Sequence, residues 1–347
     1  MMGPWKGVLL TFIASLLIVP GIATRVTGLS LPIETLTPPS VPHSNGGVAL
    51  HDGKVHVWSG LSYGTRITDH EVYDPAADSW STASAAPSAR SGMAAFELNG
   101  NLYSIGGEGP GSASFTNTVY RYDPDNDLWT TLNPFPVNVW DPQQAVCNGN
   151  AYIIGGRRGY GRTYGDVWEY SEGTDNWISK VTMPVSVFEA GCAIYGDKIY
   201  VIGGNHKESE ATGEHLRIVQ VYDPSADSWQ QIDNIPVTPW GAGAVAGPDG
   251  IFVLFQQQVL DNGALAPNPY AYHYSPDNGQ WTTYDISTPS DVRYLSPIPT
   301  IGAKAYIIGD EHDSASAYVM SIPEPASLTL VLLGGVGLVA VSRHRRR

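Results

Sequence analysis

One string of residues returns along this chain at intervals of about 50 residues, a period found in stacked sheet units. It opens in a turn, runs through an apolar strand bearing Tyr, and stops at a glycine doublet. Three copies are close: Asn99-Gly100 to Gly106-Gly107, Asn148-Gly149 to Gly155-Gly156, and Gly196-Asp197 to Gly203-Gly204. Three are looser: Asp52-Gly53 to Ser59-Gly60, Asp249-Gly250 to Phe255, and Gly302 to Gly309-Asp310. A second string follows the doublet, a strand ending in Tyr-Asp-Pro, then a polar turn and Trp. Tyr73 leads to Trp80, Tyr122 to Trp129 and Tyr222 to Trp229, with looser versions from Tyr170 to Trp177 and Tyr274 to Trp281. Such a chain cannot build one unrepeated core. Each unit is a small sheet that cannot bury its own faces, so the units must stack.

The chemistry of the strings agrees. An Asn-Gly turn supplies positive φ and closes a tight hairpin. The doublet lets the chain leave the second strand where a side chain would strike the next unit. Tyr and Trp fill the wedge between neighbouring sheets. With 38 Gly and 26 Pro in 347 residues, and 15% charged residues, the composition favours short strands and many turns over long helices. Together the two strings resemble the kelch repeat, over nearly all of the chain between its ends. The resemblance implies an all-β fold, a kelch β-propeller, and the copies count to six blades. The sixth copy has a strand at 315–322 but no Tyr-Asp-Pro and Trp after it. Residues 31–39 look like the stretch that follows each Trp, with Ile33 in the Trp place. The expectation is a six-bladed ring closed by an N-terminal strand. A seventh blade has no residues to build it.

Neither end belongs to the ring. Lys6, an apolar run at 7–19 and the small exit Gly21-Ile22-Ala23 form a secretory signal peptide cut after Ala23, so residues 1–23 are set apart. The propeller is expected over 24–322. Residues 323–347 hold Pro323-Glu324-Pro325, an apolar stretch at 326–341 that reads as a transmembrane helix, and Arg343, Arg345, Arg346 and Arg347. Arginines placed there would keep that end in the cytoplasm. This order resembles the PEP-CTERM sorting signal of Gram-negative bacteria. The resemblance implies an exosortase-type processing partner that cuts near Pro323-Glu324-Pro325. It also implies an inner-membrane precursor and a final place at the cell surface or outside the cell. Cys147 and Cys192 are the only thiols. One pair is too few for a disulfide framework, and two buried free cysteines are expected.

Charge narrows the partners. The chain carries 19 basic and 33 acidic residues. Without Lys6, Glu324 and the four terminal arginines, 14 basic residues face 32 acidic ones, a net charge near −18. That excludes a nucleic-acid binder and leaves membrane contact to the terminal segments.

Candidate ligand residues come from counting back equally from each doublet to the approach of the innermost strand. The first aligned column reads His43, Arg90, Val139, Val187, Pro239 and Arg293; the second reads Ser44, Ser91, Trp140, Phe188, Trp240 and Tyr294. The third includes Asp141 and Glu189. In a closed ring, Arg293, His43 and Arg90 would form a cationic arc facing the aromatic arc of Trp140, Phe188, Trp240 and Tyr294. That arrangement suits an acidic sugar, because arginine forks match carboxylates and rings cover apolar faces. Arg157 and Arg158, in a loop interleaved with Tyr160 and Tyr164, add a possible grip. The expected function is an exported module that binds a glycan, exopolysaccharide or protein. The alternative is an enzyme acting on a sugar acid, because sialic-acid mutarotases are similar in fold and residue type. No metal or cofactor is expected. The acidic turn Asp123-Pro124-Asp125-Asn126-Asp127 lacks the central Gly and final Glu of a calcium loop. The His- and Glu-bearing loop at 205–215 fits no zinc spacing, and no nucleophile elbow or phosphate loop is present.

Overall fold

The computed structural model describes residues 24–323, except 112–113, 210–211, 256, 287–291, 294–297 and 312–313. The expected signal peptide and terminal helix, with Glu324 and Pro325, lie outside the described residues. Among the described residues, six sheets have four or five strands each, one sheet per repeat. In the first, Gly47–His51, Lys54–Trp58, His70–Asp74 and Ser79–Thr82 pair antiparallel in chain order. The next three repeat this order from the inner strands Ala94–Leu98, Gln143–Cys147 and Gly191–Tyr195. Apolar side chains pack between consecutive sheets. The sixth sheet's Tyr306, Ile308 and Val319 pack on Val48, Val57 and Tyr73 of the first, which joins the two ends of the row.

The glycine doublets sit at the places where this ring is tightest. Gly106, Gly155 and Gly203 have φ of 69°, 70° and 67°. A Cβ there would lie 2.5 Å from Val139 Cγ1, 2.6 Å from the Val187 carbonyl oxygen and 2.5 Å from Pro239 Cγ, each on the following blade. The second glycine then ties the blades together, with Gly107 N–H donating to Val139 O at 2.8 Å and Gly156 N–H to Val187 O at 3.0 Å.

The outer rim repeats its polar contacts as closely. Five residues beyond each strand tyrosine, Asp78, Asp127, Asp175 and Asp227 have left-handed φ between 45° and 50°. Each accepts from that tyrosine's hydroxyl, at 2.7, 2.6, 2.8 and 2.6 Å. Each also accepts a backbone N–H from the preceding blade, donated by Thr37, Ser84, Asn133 and Val181 at 3.0, 2.7, 3.0 and 2.9 Å. Trp80, Trp129 and Trp229 return a bond from Nε1 to the carbonyl of Thr37, Ser84 and Val181. The acidic turns are therefore clips between blades. Asp123 is occupied likewise, accepting from the N–H groups of Asp125 and Asn126. In the fifth blade Gly279 takes the aspartate's place, and Trp281 Nε1 is buried without a partner.

The N-terminal strand closes the sixth sheet as the sequence suggests: Ile33–Thr35 pairs antiparallel with Ser314–Ser321, Ile33 opposite Met320. A further strand was not legible. Thr24–Leu31 lies parallel along Gln280–Ile286 at the outer edge of the fifth sheet, with Leu31 opposite Ile286 and fully buried. It carries none of the repeat's Tyr or Trp, so no aligned column shows it. Cys147 is buried, Cys192 is partly exposed, both are free, and both belong to one apolar cluster between the third and fourth sheets.

One seam departs from the pattern. His56 takes the place of Tyr103, Tyr152 and Tyr200, and His70 that of Val119, Val167 and Val219. The two imidazoles meet at 3.1 Å, buried against Tyr122 and Trp129 of the second blade. Burial, then the neighbouring His70, lowers His56 to a pKa of about 3, and burial lowers His70 to about 4. Both are neutral at pH 7.

Candidate functional site

Each blade approaches its innermost strand through the three aligned columns, and the backbone of these residues repeats. Members of the second column bridge to the residue directly after the doublet: Ser44 to Leu61, Ser91 to Glu108, Trp140 to Arg157, and Phe188 to Asn205. Trp240 pairs with Gln257 in the same way, within a small three-stranded sheet. The third column, Asn45, Gly92, Asp141, Glu189 and Gly241, is left-handed throughout, with φ of 53°, 66°, 47°, 53° and 63°. Its members join round the mouth: Gly92 N–H donates to Asn45 O at 2.8 Å and Asp141 N–H to Gly92 O at 2.9 Å.

His43 and Arg90 point into the blades, so the expected cationic arc does not form. His43 is 4% exposed, with Nε2 at 3.0 Å from Glu71 Oε2 and Nδ1 at 2.7 Å from Ser59 O. Arg90 is 3% exposed and donates to Gly106 O at 2.6 Å and Thr118 O at 3.1 Å, with its guanidinium over the Tyr120 ring. Burial lowers its pKa to about 10. Both side chains hold strand ends of their own blade. In the sixth sheet Glu311, which follows the doublet, pairs with Val292, and Arg293 pairs with Asp310. Arg293 thus falls out of its counted column, and Tyr294 lies outside the described residues. Arg158 is paired with Asp166 and covers Tyr164, away from the mouth residues.

What converges is a tighter group. Arg157 is 6% exposed and wedged between the rings of Trp140 and Phe188, 4.1 Å from each centroid. Its buried Nε has no hydrogen-bond partner among the described residues. Asp141 Oδ1 accepts from Asn45 Nδ2 at 2.9 Å, while buried Oδ2 has no partner. Burial, then Glu189, pushes the Asp141 carboxyl up to about 8, so it is neutral at pH 7. Glu189 accepts from Asn205 Nδ2 at 2.5 Å, and burial raises its pKa while Arg157 opposes the rise. Gly92 makes room for this group, since a Cβ there would lie 2.4 Å from Trp140 Nε1 and 2.5 Å from Asp141 Oδ1.

Glu108 joins three blades beside it. Its carboxylate accepts from Arg66 of the first blade at 2.6 Å and from the Tyr160 hydroxyl of the third at 2.6 Å. Arg66 Nε also donates to Ser91 Oγ at 3.2 Å. Tyr160 meets Phe115 edge to face at 5.1 Å, and Phe115 meets Trp140 at 6.1 Å. The counted columns missed Arg66, Glu108 and Phe115, while Asn45 stood in the third column without being singled out. The position after each doublet carried the signal, because it reads Leu61, Glu108, Arg157 and Asn205, three of them polar at a place the fold keeps buried.

A nucleophilic arrangement near the fourth blade fails on geometry. Ser186 Oγ lies 3.2 Å from His206 Nδ1, but that nitrogen lies closer, at 2.8 Å, to the Ser186 carbonyl, to which it must donate its proton. No base is left facing the hydroxyl. The mouth group instead brings together two rings stacked on a guanidinium, two carboxyls whose pKa values burial raises, and buried polar atoms unpartnered among the described residues. Buried polar atoms are nearly always satisfied, and among the described residues Trp140 Nε1, Asp141 Oδ2, Arg157 Nε and Asn205 Oδ1 lie here without a protein partner.

Comparison with known proteins places this geometry. A kelch motif matches residues 89–136 and 188–235, the second and fourth units. A PEP-CTERM protein-sorting motif matches residues 321–347, which implies export from a Gram-negative bacterium and processing by an exosortase. No curated protein sequence matches the chain. Among solved structures 693 chains are similar, so the architecture is widespread and carries no function by itself. One, described as "Structure of YjhT", is 18% identical, with a TM-score of 0.70 over 84% of this chain and 98% of that one. At that identity the likeness is one of fold.

Proposed function

From an exported propeller with kelch motifs and a PEP-CTERM sorting motif, we propose a carbohydrate-binding module whose six sheets form the complete ring. Its ligand site is the group of Arg157, Trp140, Phe188, Asp141 and Glu189 at the channel mouth. The observation that carries this reading is Arg157, buried between two rings with its Nε unpartnered among the described residues. A guanidinium fixed in this way is ready to donate to a sugar oxygen, while the neighbouring rings cover an apolar sugar face. With His43 and Arg90 turned inward, the mouth has nearly balanced charge, which favours a neutral glycan over an acidic one. The exported precursor is held in the inner membrane by its terminal segment and is then processed to the cell surface or released.

A glycan array probed with the exported protein and with Arg157→Lys tests this. The expected result is neutral glycan binding that falls at least about tenfold in the variant, as for a central anchor. Equal binding by both proteins would sink the site.

A second reading has its own support. Two buried carboxyls side by side, both held towards the neutral form, can share the delivery and removal of a proton across a sugar hemiacetal. Anomer exchange followed by NMR checks it. Faster exchange that is lost in Asp141→Asn favours an enzyme, and exchange at the uncatalysed rate excludes one.

A further inference from the structure

Two exposed aromatic side chains lie beyond the central site. Tyr63 is 72% and Tyr160 is 45% exposed. Tyr63 and Gly64 form the two-residue turn between Leu61–Ser62 and Thr65–Arg66, with φ of 50° and 75°. Positive φ at both positions is a type I′ turn, which favours Asn, Asp or Gly at its first place. A bulky ring there is strained, and so exposed a ring recovers little from packing. The fold does not ask for Tyr63. The same short hairpin bears Arg66, whose bonds to Ser91 and Glu108 fix the tip beside the mouth. Glu108 in turn holds Tyr160, and Phe115 continues the contacts to Trp140. A continuous path of rings and polar groups thus runs from the centre to the first blade's outermost turn.

We propose that the ligand is a neutral polymer laid across this face, with one sugar at Arg157 and later units on Tyr160 and Tyr63. This rests on the glycan reading above. Neutrality follows from the charges along the path, where Arg66 is paired with Glu108 and Arg157 faces Asp141 and Glu189. A long polyanion would also meet the repulsion of an acidic body.

Calorimetry with oligomers of one to eight β-linked glucose or N-acetylglucosamine units, and with a matched uronate series, tests the proposal. Affinity of the unaltered protein should rise with length in a neutral series and be weaker for uronates. Tyr63→Asn suits the turn better than Tyr and so preserves folding. It should leave the shortest binding oligomer unaffected and weaken the longest about fivefold, the worth of one ring contact. Length-independent affinity, or long oligomers indifferent to Tyr63→Asn, overturns the polymer site alone. Tighter uronate binding overturns neutrality. Failure of every series to bind overturns the glycan reading, and this proposal with it.

Discussion

The outer rim and the channel mouth are built on equally regular backbones, yet only the rim repeats its side chains. At the rim an aspartate clips four blades in the same way, tyrosine hydroxyl on one side and neighbouring N–H on the other. At the mouth the left-handed position recurs in five blades but holds Asn45, Gly92, Asp141, Glu189 and Gly241. A repeated residue answers a demand made by every blade, which is a demand of the fold. A varied residue on a repeated backbone answers a demand made at one place. Left-handed backbone costs roughly 1–2 kcal/mol for a residue with a side chain, so Glu189 in particular is retained for what it faces.

The His56 and His70 pair is the sharpest challenge to that contrast, because it departs from the repeat inside a seam. Its consequence should be stability alone. Both pKa values lie below the imidazole reference near 6.5, so the unfolded chain binds more protons in acid. The seam's stability is complete above about pH 6.5 and declines as pH falls towards 4 and then 3. Thermal melts should show a loss on the order of 6 kcal/mol by pH 4. His56→Tyr with His70→Val, the residues other blades carry, should remove most of that slope and leave ligand binding unchanged. Altered binding in this variant would break the separation of seam from mouth.

Arg90→Ala comes next. It strands the Gly106 carbonyl and leaves the Thr118 carbonyl with the Gly106 N–H alone, and should cost about 3 kcal/mol, or roughly 6 °C in melting temperature, while the folded fraction still binds. Gly92→Ala should do the reverse, losing about 2 kcal/mol to left-handed strain but reducing affinity tenfold or more as Trp140 and Asp141 are displaced. Smallest is the rim. Asp127→Ala should cost about 1 kcal/mol. Gly279→Asp should recover a fraction of that by supplying the fifth clip, read as a rise in denaturation midpoint.

The repeat was legible because its residues report local demands. Asn-Gly turns, doublets and Tyr–Trp pairs each act within one blade or one seam, and closure by Ile33–Thr35 follows from the missing Trp string. Thr24–Leu31 was not legible, since its partner is a distant edge and it bears none of the recurring residues. At the mouth, counting in register found Trp140, Phe188, Asp141 and Glu189 but misread the direction of His43 and Arg90. A column fixes where a residue stands; whether it faces the axis or its own strands depends on which carbonyls lie within reach. Arg66 was hidden for another reason, as it arrives from a hairpin with no counterpart in the alignment.

The placement of residues 24–35 on the fifth and sixth sheets bears on assembly in time. Synthesis runs from the amino end, so the segment that pairs with the fifth and sixth sheets is made long before the strands it must join. It waits through nearly three hundred residues for its partners, and such distant pairing is slow to form. Closure cannot precede delivery of Ser314–Ser321, the last strand before the sorting motif. A finished ring is therefore a record that the chain has been made at least as far as Ser321.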